Sequence, residues 1–295
     1  MGNAAACGEW FLPEGRGGVR AAALVLHGLN LDPGRMRPLI ALVNRAGIAA
    51  FNLALSGHGG RFDRRPGAGA GEDRLDAFKA ASYRRWAEEA LAGYREVCRL
   101  AGREGCGVVF LGFSYGALLG CDLLVSRPEV AFERMLLLAP ALRLRPWDRA
   151  IRLLSPFPGL VLPTPAPRGY PANPGTPVAA YNALFETLDH FAACLGPRLN
   201  VPTLVLVDPG DGLVSAEGLG RLIEEQRLDR WRVHLLRVSR PVLAAAYRHL
   251  ILDEESAGRR AWAELSRAVL AFLGGTAGGQ GGAPFSSRQN PDSGI

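Results

Sequence analysis

The chain has 295 residues, of which 48% are hydrophobic and 21% charged, values that suit one large folded unit and argue against disorder along its whole length. Its net charge is +6, but the basic residues are nearly all arginines, with Lys79 the lone lysine, and they are scattered. Small groups such as Arg61, Arg64 and Arg65, or Arg143 and Arg145, are interrupted by acidic and apolar residues, so no run of like charge marks a nucleic-acid partner and none is expected.

Five cysteines, Cys7, Cys98, Cys106, Cys121 and Cys194, form no C-x-x-C pair. That pattern offers neither a disulfide framework nor a structural zinc site, and no metal or other cofactor is expected. It favours a reducing compartment. The N-terminal residues lack the charged and apolar regions of a secretory signal, and Ala6 stands where a myristoylation pattern needs Ser or Thr. No apolar run approaches the roughly 18 residues of a membrane-crossing helix. The expectation is a cytoplasmic protein without an integral membrane segment.

Residues 20–26 read as a first strand, ending in His27-Gly28. A helix follows over 35–46, with Leu39, Ala41, Leu42 and Val43 expected on its buried face and Gly47 as its stop. A second strand over 47–55 ends at Ser56-Gly57-His58-Gly59-Gly60, and a glycine- and arginine-rich loop runs to Gly71. Residues 75–100 read as one long helix, with Trp86, Ala90, Leu91, Tyr94 and Val97 at helical spacing. Then come a short apolar strand at 107–111, a helix at 115–125 that ends before Pro128, and another apolar strand at 134–139. Continuously apolar strands alternating with helices predict an α/β fold with a mostly parallel sheet, flanked by helices on both faces.

Residues 140–197 are proline-rich and show no clear strand. Within them Tyr181, Leu184, Phe185, Leu188 and Phe191 mark one face of a helix. The stretch reads as a lid inserted over the sheet. The alternation resumes with strands at 203–207 and 232–238, a helix at 216–226 and a last amphipathic helix at 261–273. The tail over 274–295 is rich in Gly, Ser and Pro and reads as disordered. The expected organisation is a core over 10–139 and 198–273, a lid over 140–197, and the tail.

The strongest chemical signal is Gly112-Phe113-Ser114-Tyr115-Gly116, between the strand at 107–111 and the helix at 115–125. A strand turning sharply into a helix holds a serine in a strained conformation with its hydroxyl exposed, and glycines two positions either side let strand and helix approach. The plainer reading is a tight turn with a capping serine. A nucleophilic serine needs a base, and the base an orienting acid. Of five histidines, His27 and His58 precede the serine and suit loop-bracing roles. His190 lies in the lid and His234 in a strand. His249, beyond the last strand, is left as the base. Asp208 and Asp211 follow the strand at 203–207. Asp211 is the preferred acid, while Asp208, before Pro209, suits a turn. Backbone N–H groups of Leu29, after the first strand, and Tyr115, after the serine, are placed to hold an oxyanion.

These segments together resemble the α/β-hydrolase superfamily, and within it the bacterial carboxylesterase, monoacylglycerol lipase and serine aminopeptidase-like group. The matching pieces are Leu26-His27-Gly28, Ser56-Gly57-His58-Gly59, Gly112-Phe113-Ser114-Tyr115-Gly116, Asp211-Gly212-Leu213-Val214 and His249-Leu250-Ile251-Leu252-Asp253. The resemblance spans roughly residues 10 to 273. It implies an α/β-hydrolase fold and an oxyanion loop, bracing loop, nucleophile, acid and base at those positions. The Gly- and Arg-rich loop and the lid depart from the pattern, and they bear on substrate. The reading is a serine hydrolase of a small carboxylic ester, with Phe157, Leu184, Phe185 and Leu188 of the lid contacting an apolar acyl group. Alternatives are an amidase, an aminopeptidase anchored by Glu186 or Asp189, an acyltransferase with the same triad, or a non-catalytic binding protein on this scaffold.

Overall fold

In the computed structural model, which describes residues 7–14, 18–59, 70–164, 166–238 and 248–275, seven strands form one central sheet. They are β1 (Gly8–Phe11), β2 (Ala21–Leu26), β3 (Ile48–Leu53), β4 (Gly107–Phe113), β5 (Arg134–Leu138), β8 (Thr203–Val207) and β9 (Trp231–Leu235), in the spatial order β1-β3-β2-β4-β5-β8-β9. All pair in parallel except β1, which runs antiparallel along β3. Every residue of β2, β3 and β8 is buried. The sequence-predicted parallel sheet is therefore present, and its apolar runs are explained by helices covering both faces.

The helices of the core are α1 (Arg37–Arg45), α2 (Ala70–Lys79), α3 (Tyr83–Glu104), α4 (Tyr115–Ser126), α7 (Ala216–Glu225), α8 (Glu254–Ala257) and α9 (Arg259–Gly274). Where the sequence predicts one helix over 75–100 there are two. Ser82, with extended backbone (φ −149°), accepts a hydrogen bond from the Arg85 N–H and starts α3 afresh, satisfying a donor that the first helical turn leaves open. The edge strand β1 is an addition that the sequence reading lacks. It is four residues long and half exposed, and Trp10 packs its ring 5.1 Å from that of Phe51.

The chain between β5 and β8 leaves the sheet. It forms α5 (Trp147–Arg152), the two-stranded pair β6 (Val161–Pro163) and β7 (Gly175–Pro177), and α6 (Val178–Ala193). The sequence predicts the helix but not the strands. Three-residue strands ending in Pro163 and Pro177 leave no alternation to read. The Gly- and Arg-rich loop over 60–69 and the tail from 276 onward lie outside the described residues.

Helix α4 is sunk into the molecule, with Tyr115 through Leu124 all buried. It carries Asp122, whose carboxylate accepts from the Tyr83 O–H at 2.9 Å and meets His190 Nδ1 at 2.6 Å. Burial pushes the Asp122 carboxyl up from its ordinary range, against the pull of the His190 and Tyr83 contacts. Those contacts join α4 to α3 and α6, and the Tyr115 hydroxyl adds a second tie to α6 through Thr187 at 3.1 Å. Because β2, β4 and β8 run in parallel, the loops beyond their C-terminal ends open on one edge of the sheet, the usual place for a site in such a fold.

Candidate active site

Ser114 occupies the corner between β4 and α4 with φ 52° and ψ −117°. A positive φ is costly for a non-glycine residue and persists only where the surroundings impose it. Here they do. The Ser114 N–H donates to the Leu138 carbonyl at 2.9 Å, and its own carbonyl accepts from Ala141 N–H at 3.1 Å. The end of β5 thus grips both sides of the corner. The flanking glycines are required by contact. A Cβ on Gly116 would strike the backbone carbonyls of Leu26 and His27, and one on Gly112 would come 2.6 Å from the Cα of Ala117.

The three residues put forward from sequence meet in one hydrogen-bonded chain. His249 Nε2 lies 2.7 Å from Ser114 Oγ, and His249 Nδ1 lies 2.7 Å from Asp211 Oδ2. The Asp211 side chain is fully buried and that of His249 nearly so. The other carboxylate oxygen of Asp211 accepts from the N–H groups of Leu213 at 2.7 Å and Val214 at 3.1 Å, which fixes the carboxylate plane. Nδ1–H toward Asp211 leaves Nε2 as the acceptor for the serine hydroxyl, the arrangement general-base activation needs. Asp208 is spent elsewhere. Its two oxygens accept from Gly210 N–H at 2.6 Å and Val238 N–H at 2.7 Å, bracing the turn that delivers Asp211.

Leu29 and Tyr115 line the same cavity as Ser114. As the first residue of α4, Tyr115 has an N–H with no carbonyl one turn back to receive it. Behind the Leu29 loop stand two buried histidines with ring centroids 4.5 Å apart. His27 donates from Nδ1 to Gly28 O at 2.9 Å and accepts from Leu55 N–H at 3.1 Å. His58 Nε2 accepts from Asn30 N–H at 3.0 Å. Burial drives the His27 imidazole down to about 4 and that of His58 well below its ordinary value, so both act as neutral braces.

The cavity beside Ser114 has a volume of about 320 Å³, within the range of small-molecule sites. Phe113, Leu144, Trp147, Ile151, Leu184 and Leu213 supply apolar wall, while Asn30, Thr164, Thr176 and Tyr181 add uncharged polar groups. Among the described lining residues none is Asp, Glu, Lys or Arg. Of the four residues of the insertion expected to touch an acyl group, Leu184 lines the cavity. Phe157 does not: it is 62% exposed on the outer surface. Phe185 is buried, with the Arg152 guanidinium 4.4 Å above its ring. Leu188 is half-buried against the core, one turn further along α6. The amphipathic pattern of α6 identified a packed face, and packing faces the core as much as the cavity.

Sequence reasoning missed the residues that join the insertion to the site. Arg145 Nε donates to the Asp211 carbonyl, and Trp147 Nε1 donates to Leu213 O at 2.8 Å. Tyr170 O–H donates to Asp253 at 2.8 Å, four residues beyond His249. No local spacing announces such pairs.

The sheet order, the strained corner and the three-residue relay define the α/β-hydrolase fold. No protein-family model matches the chain, and no curated protein matches it. Solved structures do. One belongs to work on LipS and LipT, two metagenome-derived lipolytic enzymes, with a TM-score of 0.64 and 23% identity over 90% of this chain and 96% of that one. The monoacylglycerol lipase of Paleococcus ferrophilus matches with a TM-score of 0.63 and 20% identity, over 90% and 97%. A soluble variant of the Saccharomyces cerevisiae monoglyceride lipase, in complex with a substrate analogue, matches with a TM-score of 0.69 and 11% identity, over 90% and 91%. Likeness at these identities speaks to the fold. Among the described residues no helix is long and apolar enough to cross a membrane, and no cluster of three or more His, Cys, Asp or Glu side chains is arranged to hold a metal ion.

Proposed function

We propose that the chain is a serine hydrolase that cleaves an uncharged carboxylic ester with an apolar acyl group through an acyl-enzyme on Ser114. The observation that carries the proposal is the buried relay from Ser114 through His249 to Asp211, opening into a cavity that has no residue of fixed charge among its described lining residues. Ser114 Oγ attacks the ester carbonyl as its proton passes to His249 Nε2. Asp211 stabilises the imidazolium, and the N–H groups of Leu29 and Tyr115 receive the developing oxyanion. His249 then protonates the departing alcohol. Water, activated by the same imidazole, attacks the acyl-enzyme and frees the acid. The structural neighbours named as lipases support an ester over other acyl compounds.

The aminopeptidase alternative asks for a carboxylate in the cavity to hold a substrate ammonium. Glu186 and Asp189 are exposed on α6, and Asp189 is engaged by Arg152 at 3.1 Å, so neither serves. Lid is the functional reading of residues 140–197: they supply Trp147, Ile151, Thr164 and Leu184 to the cavity wall. Turnover across p-nitrophenyl esters of increasing acyl length, beside Ser114→Ala, tests the proposal. Longer apolar acyl groups should outperform acetate in kcat/KM, and Ser114→Ala should fall to the background rate. Turnover that survives the substitution would refute the assignment.

A further inference from the structure

One buried polar pair lies outside the relay and joins the oxyanion loop to the insertion. Asn30 follows Leu29 directly and has a left-handed backbone, φ 51°. All its polar groups are engaged. Its N–H donates to His58 Nε2 at 3.0 Å, and its carbonyl accepts from Ala172 N–H at 2.9 Å. Its side-chain oxygen accepts from Asn173 N–H at 2.9 Å, while Nδ2 donates to Asn173 O at 3.1 Å and to Thr164 Oγ1 at 2.7 Å. The Asn30 carboxamide thus pairs with the Asn173 backbone as a neighbouring strand would. The Asn173 carboxamide continues to Gly57 O at 2.7 Å, in the loop that carries His58. Both asparagines are about as buried as the core, at 1% and 2% exposed, so water is not at hand to replace a lost bond. The seam extends through the Leu31–Pro171 bridge and the Asp32 N–H to Tyr170 O bond at 2.9 Å.

An oxyanion donor acts only within a few tenths of an ångström of its working position. The peptide that carries the Leu29 N–H adjoins Asn30, which takes its place from His58 on one side and from the insertion on the other. We propose that Asn30 and Asn173 form a clamp through which residues 170–176 set the position of the Leu29 N–H, so that the oxyanion site is complete only when that part of the insertion is seated. The proposal rests on the serine-hydrolase reading and assigns both asparagines as positioning residues. It makes the insertion part of the catalytic machinery as well as a wall of the cavity.

Asn30→Gly tests it, because glycine keeps the left-handed backbone and removes the carboxamide. The substrate should be p-nitrophenyl acetate, whose acyl group is too short to reach the far cavity wall. The expected result is a fall in kcat of about 10- to 100-fold with KM changed less than about threefold. Affinity for a trifluoromethyl ketone, which places an oxyanion on Ser114, should weaken by a similar factor. Asn173→Ala removes the carboxamide's bonds to Gly57 O, to Asn30 Oδ1 at 3.3 Å and from Arg74 Nε at 3.3 Å but keeps the backbone pairing with Asn30, so it should shift both in the same direction by less, and it stands in if Asn30→Gly does not fold. A raised KM at unchanged kcat would overturn the clamp in favour of simple substrate contact. A lowered kcat with unchanged ketone affinity would also overturn it. Turnover surviving in Ser114→Ala is a different failure, that of the serine reading beneath.

Discussion

Asp211 shows how one carboxylate can set both the position and the protonation of its partner. One oxygen is held by two backbone N–H groups and the other by His249 Nδ1. Replacing it by asparagine leaves one oxygen and one NH2 group. If the oxygen stays on the Leu213 and Val214 amides, the NH2 faces His249 and forces the proton onto Nε2, where it can no longer receive one from Ser114. Asp211→Asn should therefore lower kcat by about 10⁴-fold with little change in KM, measured by steady-state turnover of a short ester. Ser114 and Asp211 of this relay were legible because they follow strand ends that the apolar pattern marks, whereas His249, well beyond the last strand, was reached by chain order and elimination among the five histidines. Asp211 could be preferred to Asp208 from position, but the reason is visible only in three dimensions, where Asp208 spends both oxygens on Gly210 and Val238. Asn30, Asn173 and Arg145 carried no comparable signal. Their side chains bond to partners more than 60 residues away in sequence, and a long-range polar pair leaves no periodicity.

At the level of elements, the strand–helix unit around Ser114 depends on close approach of α4 to β2. Gly116→Ala places a methyl group against the backbone carbonyls of Leu26, the last residue of β2, and of His27 just beyond it, which cannot yield as a flexible side chain would. The helix must shift instead, and the loss should be about 1–3 kcal/mol or more, read as a lower urea midpoint with a parallel loss of turnover. Phe157→Ala should do neither. Its ring is 62% exposed and outside the cavity lining, so stability and acyl-length preference should match the unsubstituted chain, checked by thermal melts and the ester series. Parallel strands and amphipathic helices were readable because their periods are long and regular. The break at Ser82 was not, since small residues there interrupt nothing in the pattern. The pair β6 and β7 was not either, since proline-flanked strands of three residues make their case through pairing alone.

For the molecule as a whole, the paired histidines behind the Leu29 loop couple stability to pH. In the unfolded chain His27 titrates near 6.5, whereas burial holds it down to about 4 in the fold. Between those values the unfolded chain binds a proton that the folded chain refuses, so acidification favours unfolding. The His27 contribution is fully present above pH 6.5 and disappears as pH falls toward 4, a difference of about 3 kcal/mol. His58 acts in the same direction. Thermal midpoints should fall steadily between pH 7 and pH 4.5, and His27→Asn should flatten that slope. A midpoint unchanged across the window would contradict the neutral-brace account.

Covalent labelling at Ser114 tests the central claim most directly. In the proposed mechanism the relay makes one serine hydroxyl nucleophilic, and the strained corner places that serine beside the cavity. A fluorophosphonate should add once per chain. Peptide mapping by mass spectrometry should place the adduct on Ser114, and an excess of ester substrate should slow its appearance. Ser114→Ala should remain unlabelled. An adduct on another residue, or labelling of Ser114→Ala at the rate of the unsubstituted protein, would contradict the account.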